Sequence, residues 1–415
     1  MADITDEHIL NHEQEEAFEI LSGDKNVFLT GAAGTGKSFL IRHFLKESEH
    51  KTPVVASTGA AAVLVGGCTF HSFFGLGILK GGIEKTVARA LKDRRLVDRI
   101  LNTKEIIIDE ISMIDPEAFY AAEQICRFVL DMKKPFGGLR IIAVGDFYQL
   151  PPIQKNKTSF WLFQTKTWAS LEFEIINLQK IMRTEDEDFI TALNYIRRGE
   201  CPDFVNKYFA QKKSPPKKDF DGTVLFGRRM HVENFNENKL DQIDNPASVY
   251  ESEIVIKRKS KLTVERVLNL SPLPEKISLK IGALVMIRKN HPFGHYVNGT
   301  LGSIEYMDSQ MVKVKTFGGS RIDFAKESFE VLNADGELEA TITNFPLSLA
   351  WASTIHKAQG ASIDLISVDL AGLWERGQAY VALSRAKSAA GLYIENWDPK
   401  YIKSDPRVTA FYDSL

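Results

Sequence analysis

Residues 26–48, NVFLTGAAGTGKSFLIRHFLKES, carry three kinds of local order in succession. NVFLT is a short apolar, β-branched run that reads as a strand, and FLIRHFLKES places Leu40, Ile41, Phe44 and Leu45 at helical spacing. Between them GAAGTGKS, at 31–38, has the form of a phosphate-binding loop. Gly31, Gly34 and Gly36 permit the tight turn, and the backbone N–H groups of the loop, with Ala32 and Thr35 among its residues, wrap phosphates at a helix N-terminus whose dipole favours the anion. Lys37 then reaches the β- and γ-phosphates of a nucleoside triphosphate, and Ser38 binds Mg²⁺. Strand, loop and helix in this order predict an α/β fold with its nucleotide at the carboxyl edge of a parallel sheet.

Two more runs belong at that edge. EIIIDE, at 105–110, ends in paired carboxylates: Asp109 is placed to hold Mg²⁺ and Glu110 to orient and deprotonate an attacking water. RIIAVGDFYQLPP, at 140–152, is a third strand candidate that stops at Gly-Asp and two prolines. Its Gln149 falls near the γ-phosphate, where an amide both accepts from water and donates to a phosphate oxygen. ATP hydrolysis is the chemistry these three runs support together.

The second half shows a strand, a polar turn and another strand in LSLAWASTIHKAQGASIDLISVDL, at 347–370, without a glycine-rich loop of its own. A second α/β domain of that kind is expected to close over the first domain's nucleotide. GQAYVALSRAK, at 377–387, reads as a helix leading to Arg385, a candidate for stabilising γ-phosphate charge from across a cleft, although a surface arginine has the same spacing.

Composition narrows the partners. The 415 residues, 44% hydrophobic and 26% charged, suit about three globular domains. A net charge of −2 gives no global field toward nucleic acid or membrane, so any polyanion site is a local groove. Cys68, Cys126 and Cys201 are scattered, which suits a reducing compartment and packing roles rather than a zinc site. The acidic N-terminus lacks an apolar leader and the apolar runs are too short to span a bilayer, so no membrane association and a cytosolic or nuclear location are expected.

In order along the chain, GAAGTGKS, STGAAAVLVGGCTFHSFFGLG, IIIDEISMID, PFGGLRIIAVGDFYQLPP, LQKIMRT, LKIGALVMIRKN, VNGTLGSI, FPLSLAWASTIHKAQGASID and GQAYVALSRAK resemble the petite integration frequency (PIF) family of DNA helicases. These are superfamily-one enzymes that move 5′ to 3′, and the resemblance runs from about residue 10 to residue 395. It implies two RecA-like parallel-sheet domains, at 1–180 and at 181–280 with 344–415. It also implies a small wedge-type insertion at 77–104 that separates strands, and an inserted Src-homology-three-like β-barrel at 281–343. ATP and Mg²⁺ are the implied cofactors; single-stranded, duplex and forked DNA are the implied partners of a monomer. By the same resemblance Gln14 recognises adenine, Gln149 senses the γ-phosphate and its water, Arg183 and Arg385 reach across from the second domain, and Gly360 closes on the nucleotide. Thr58, Gly59, His71, Ser72, Phe73, Thr354, His356 and Lys357 correspond to the single-strand path, where hydroxyls and N–H groups hold phosphates and an occasional ring stacks on a base.

The chain departs from the family at Arg228 and Arg229, where small polar residues are expected, and it has none of the long extensions of eukaryotic members. It therefore reads as a compact bacterial or phage form, located with the nucleoid in the cytoplasm; a eukaryotic source would place it in nucleus or mitochondria. The Lys/Pro-rich stretch at 210–222 reads as a surface loop. The alternatives are a nucleic-acid-stimulated ATPase that clamps or remodels without unwinding, a RecD-like helicase, and an RNA-directed helicase.

Overall fold

The computed structural model describes residues 10–48, 51–57, 67–77, 79, 82–152, 160–213, 220–227, 229–258, 260, 262–271, 273–289, 291, 295–296, 298–332 and 337–415. Thr58, Gly59, Arg228, the side chain of Arg229 and residues 214–219 of the Lys/Pro-rich stretch lie outside the described residues.

Six strands form the first sheet: β1 (Val27–Gly31), β2 (Val54–Ala56), β3 (Cys68–Thr69), β4 (Glu105–Asp109), β5 (Arg140–Val144) and β6 (Glu174–Leu178). Their order is β3-β2-β4-β5-β1-β6 and every pairing is parallel. Successive residues of β1 serve opposite faces: Val27 and Leu29 pack with Leu40, Ile41 and Phe44 under the helices His12–Leu21 and Lys37–Glu47, while Phe28 enters the core on the other side. Two covered faces explain why the strands are apolar along almost their whole length rather than alternating.

The second sheet is also parallel, with β7 (Thr223–Phe226), β8 (Ala352–Thr354), β9 (Ile366–Asp369) and β10 (Leu392–Glu395) in the order β8-β7-β9-β10. An α/β fold with two parallel-sheet units is therefore observed as expected. Between β7 and β8 lies antiparallel structure. A five-stranded sheet runs through Arg321–Ala325, Met311–Thr316, Leu301–Met307, Leu284–Ile287 and Leu347–Leu349. Beside it, Glu327–Leu332, Leu338–Asn344 and Glu253–Ile256 form a three-stranded sheet. The antiparallel region thus reaches back before residue 281, because Glu253–Ile256 pairs with Leu338–Asn344, a partner too distant in sequence for local pattern to reveal.

Residues 82–101 form two short helices, Gly82–Ala90 and Arg94–Leu101, which bury Val87, Ala90, Leu96 and Ile100 in the first core. Arg94 and Arg95 stay exposed, and Arg95 pairs at 3.2 Å with Glu337 of the antiparallel region. At the C-terminus the helix Pro406–Asp413 returns to the first core, where Phe411 stacks on Phe163 with centroids 4.3 Å apart and meets Phe28 and Phe147. Among the described residues no helix is long and apolar enough to cross a membrane.

Candidate active site

The carboxyl ends of β1, β4 and β5 deliver the three acidic or phosphate-directed segments to one place. After β1 the loop turns through Gly34 and Gly36 at φ +90° and +88°, the left-handed region where a side chain is strained. Gly34 also has a partner that leaves no room for a Cβ: one built there lies 2.8 Å from the Cβ of Arg183. Lys37 begins the following helix and its Nζ donates to the carbonyls of Gly31 (2.7 Å) and Ala32 (3.0 Å). Burial lowers the Lys37 ammonium to about 8, against the opposing pull of the carboxylates of Asp146, Glu110 and Asp109. Loop and lysine thus bring a helix N-terminus and one cation together, an arrangement that favours an anion.

Asp109 ends β4 and accepts the Glu110 N–H at 2.9 Å. Glu110 itself sits at φ +52°, a conformation sparsely used by residues with a side chain, which turns its carboxylate into the space between the sheets. Burial, reinforced by the neighbouring charge of Asp109, raises the Glu110 carboxyl to about 7; Lys37, Arg385 and a hydrogen bond from Gln359 oppose the rise. A carboxylate poised near neutrality is the form a general base requires. The Asp109 carboxyl is also raised, by burial first.

The second sheet supplies the opposite wall. Gln359, on the turn after the short helix Ile355–Ala358, donates its Nε2 to Glu110 Oε2 at 3.0 Å and to Gln149 Oε1 at 3.3 Å. Gln149 is 6% exposed, and the chain at Gly377 approaches it so closely that a Cβ there would lie 2.8 Å from the Gln149 carbonyl oxygen. Arg183 follows β6, lies against Gly34, and its Nη1 donates to the Ser384 carbonyl. Burial, with the like charge of Arg385 nearby, lowers its guanidinium to about 9. Arg385 is 2% exposed and is held by the carbonyls of Val381 (2.9 Å) and Ala361 (3.4 Å) and by Ser384 Oγ (2.9 Å). It is therefore an interior arginine in electrostatic reach of Glu110.

The remaining expected residues fall into four groups. Gln14 is buried with its amide against Gly36, and its Oε1 caps the first helix by accepting the Asn11 N–H at 3.2 Å. Ser38 is exposed in the first turn after Lys37, and Gly360 is exposed beside Gln359. Thr354 caps its helix by accepting the Lys357 N–H, with His356 half-buried and Lys357 exposed behind it; His71 and Ser72 occupy the corresponding short helix after β3. Phe73 differs from its expected place on the single-strand path. Its ring is 2% exposed, packed edge-on to Phe74 and covered by the Arg99 guanidinium at 5.2 Å, so it is a core residue and does not present a face to a base.

The model of the PIF1-like helicase family matches residues 9–207. The ATP-dependent DNA helicase Pif1 of Bdellovibrio bacteriovorus is 44% identical over 404 residues, covering 97% of this chain and 91% of that protein. This chain belongs to the PIF1-like helicase family. It is also 35% identical to the ATP-dependent DNA helicase PIF1 of Xenopus laevis, of whose length it spans 64%. Among solved structures, Bacteroides sp Pif1 in complex with ADP-AlF4 superposes with a TM-score of 0.86 at 28% identity, covering 98% of this chain and 97% of that one. A crystal of Bacteroides Pif1 bound to ssDNA has a TM-score of 0.67 over the same 98% of this chain.

Within this PIF1-like site, Gln359 and Tyr380 are the residues that sequence reasoning passed over. Both sit inside recognisable stretches, TIHKAQG and GQAYVALSRAK, that also hold His356, Lys357, Gly360 and Arg385. Their partners lie 249 and 347 positions away, at Glu110 and at the Ala33 N–H.

Proposed function

We propose that this chain is an ATP-dependent DNA helicase that hydrolyses ATP in the cleft between its two parallel sheets and moves 5′ to 3′ along single-stranded DNA. The observation that carries the reading is that Gln359 of the second sheet's unit bonds both Glu110 and Gln149 of the first, so that the groups assigned to hydrolysis meet across the division.

In this reading the loop residues Gly31, Ala32, Gly34, Thr35 and Gly36 present backbone N–H groups to the phosphates, Lys37 neutralises their charge, and Gln14 faces the adenine. Glu110 accepts the proton of the attacking water, Gln149 orients that water, and Gln359 keeps the two side chains in register. Arg183 and Arg385 add positive potential as charge develops on the transferred phosphoryl group. The donor set also fits Mg²⁺, which takes one or two protein oxygens and completes its shell with phosphates and water; Ser38 and Asp109 would supply those oxygens. Bound there, the ion would neutralise charge between the phosphates.

Closure and opening of the cleft displace one unit's DNA contacts relative to the other's. His71, Ser72, Thr354, His356 and Lys357, with Thr58 and Gly59, are the proposed contacts, and the helices of residues 82–101 are the proposed wedge. Bacteroides Pif1 has been crystallised with ssDNA and with ADP-AlF4, which supports DNA and nucleotide as the ligands here. The test is ATP turnover with and without oligodeoxythymidylate in the wild type, Lys37→Ala and Glu110→Gln. DNA-stimulated turnover is expected in the wild type, abolished by the first substitution and lowered on the order of 10²-fold by the second. Normal turnover in Glu110→Gln overturns the assignment of the base.

A further inference from the structure

Beside the phosphate loop is a buried polar cluster that none of the roles above uses. At its centre is Asp146, the last residue before the Phe147–Tyr148–Gln149 turn, with no exposed surface. Three side chains from outside the first sheet's unit surround it. Arg197, from the helix Glu187–Arg198, makes a two-pronged bond to it through Nε (3.0 Å) and Nη2 (2.8 Å). Tyr412, from the C-terminal helix, donates its hydroxyl to Oδ1 at 3.3 Å, and Tyr380, from the helix Gln378–Leu383, reaches Oδ2 at 3.5 Å. The Arg197 guanidinium also lies over the Tyr148 and Tyr412 rings, at 4.5 and 5.0 Å, and those rings stack on each other at 4.8 Å. Burial alone would raise the Asp146 carboxyl, but the charge and hydrogen bonds of Arg197, with Lys37 beyond, overcome it and hold the group ionised below the usual range.

One member of the cluster touches the phosphate loop. The Tyr380 hydroxyl oxygen accepts the backbone N–H of Ala33 at 2.8 Å, while its own proton is directed at Asp146. Ala33 lies between Ala32 and Gly34, in the span that wraps phosphate, and Tyr380 is 2% exposed, so neither group exchanges this bond for one to bulk water. At 3.5 Å the Asp146 carboxylate biases the hydroxyl proton by its charge rather than through a short hydrogen bond.

We propose that Tyr380 is a positioning residue for ATP hydrolysis: oriented by Asp146 and Arg197, its hydroxyl holds the phosphate loop through the Ala33 N–H, so that the geometry of the loop depends on how the second sheet's unit is seated. The inference rests on the ATPase reading for its consequence, but its physical core, a loop amide protected by a tyrosine from the other unit, stands apart from activity. Tyr380→Phe removes one oxygen and keeps the ring, so a rearranged core does not confuse the outcome.

The experiment is amide hydrogen exchange of the loop peptide containing Ala33, with steady-state ATPase at saturating oligodeoxythymidylate, on the full chain and on Tyr380→Phe, Arg197→Lys and Tyr208→Phe. The last removes the hydroxyl of another tyrosine of the same unit, bonded to Asp186 and remote from the loop. Tyr380→Phe is expected to speed exchange at Ala33 by tenfold or more and to lower kcat about tenfold with KM for ATP changed less than about twofold. Arg197→Lys, which loses the two-pronged grip, shifts both in the same direction by less, and Tyr208→Phe shifts neither. Unchanged Ala33 exchange in Tyr380→Phe overturns the proposal, as does equal acceleration in Tyr208→Phe. Altered exchange in a chain whose wild type shows no DNA-stimulated turnover would overturn the helicase reading and leave the loop contact standing.

Discussion

The pH profile of ATP turnover follows from two buried groups in electrostatic reach of each other. Glu110 must be ionised to accept a proton, and burial beside Asp109 raises its carboxyl to about 7. Lys37 must be charged to bind phosphate, and burial lowers its ammonium to about 8. The sign is opposite for the two: activity is gained as pH rises through the first value and lost as it rises through the second. Because kcat/KM reports the free enzyme, its profile should be a narrow bell centred near pH 7.5, falling about sevenfold from the maximum at either pH 6 or pH 9. Bound triphosphate adds negative charge next to Lys37, so the basic limb of kcat moves upward while the acidic limb stays with Glu110. Initial rates in a constant-ionic-strength buffer series, with saturating DNA and Mg²⁺, give both profiles. A kcat/KM flat from pH 6 to pH 9 would refute the reasoning for both groups, and an acidic limb near 4.5 would show that Glu110 is solvated in the working enzyme.

Other substitutions have outcomes that separate roles. Gln359→Ala removes a hydrogen bond that favours the ionised carboxylate, so the acidic limb should move to higher pH and kcat should fall about tenfold, less than the roughly 10²-fold or more of losing the base itself; an unmoved limb contradicts the bridge. Phe73→Ala should cost about 3–5 kcal/mol in denaturant unfolding, the range for deleting a buried aromatic, with single-strand affinity per folded molecule unchanged; selective loss of DNA binding would return Phe73 to the strand path. Reversing Arg94 and Arg95 to glutamate should reduce unwinding several-fold while single-strand-stimulated ATP turnover stays within about twofold, because both side chains are exposed and their one described ion pair, Arg95 to Glu337, is a surface pair worth about 0–1 kcal/mol. Equal unwinding by that variant argues against a wedge at 82–101.

What the sequence disclosed follows from what is contiguous in it. The phosphate loop, the Asp109–Glu110 pair and the strand before Gln149 are each a strand with its own terminal turn, so their chemistry and their place on a parallel sheet are written within about ten residues. Contacts between distant segments are not. Gln359 and Gln149 are 210 positions apart, and Arg197 and Asp146 are 51 apart on different elements; both pairings appear only when the second sheet is seated on the first. FHSFF shows how local pattern misleads: its aromatics suit either base stacking or a core, and the choice is made by Arg99, which closes over Phe73 from another helix. Arg385 is intermediate. Its identity was legible from its motif, but its burial and its three bonds to the unit that carries it belong to tertiary packing.

The measurement that tests the central claim most directly is strand displacement on partial duplexes bearing either a 5′ or a 3′ single-stranded tail, with ATP and a Lys37→Ala control. Displacement from the 5′-tailed substrate alone, absent in the control, is the predicted result. DNA-stimulated hydrolysis without displacement on either substrate, or displacement from the 3′ tail, would contradict the account.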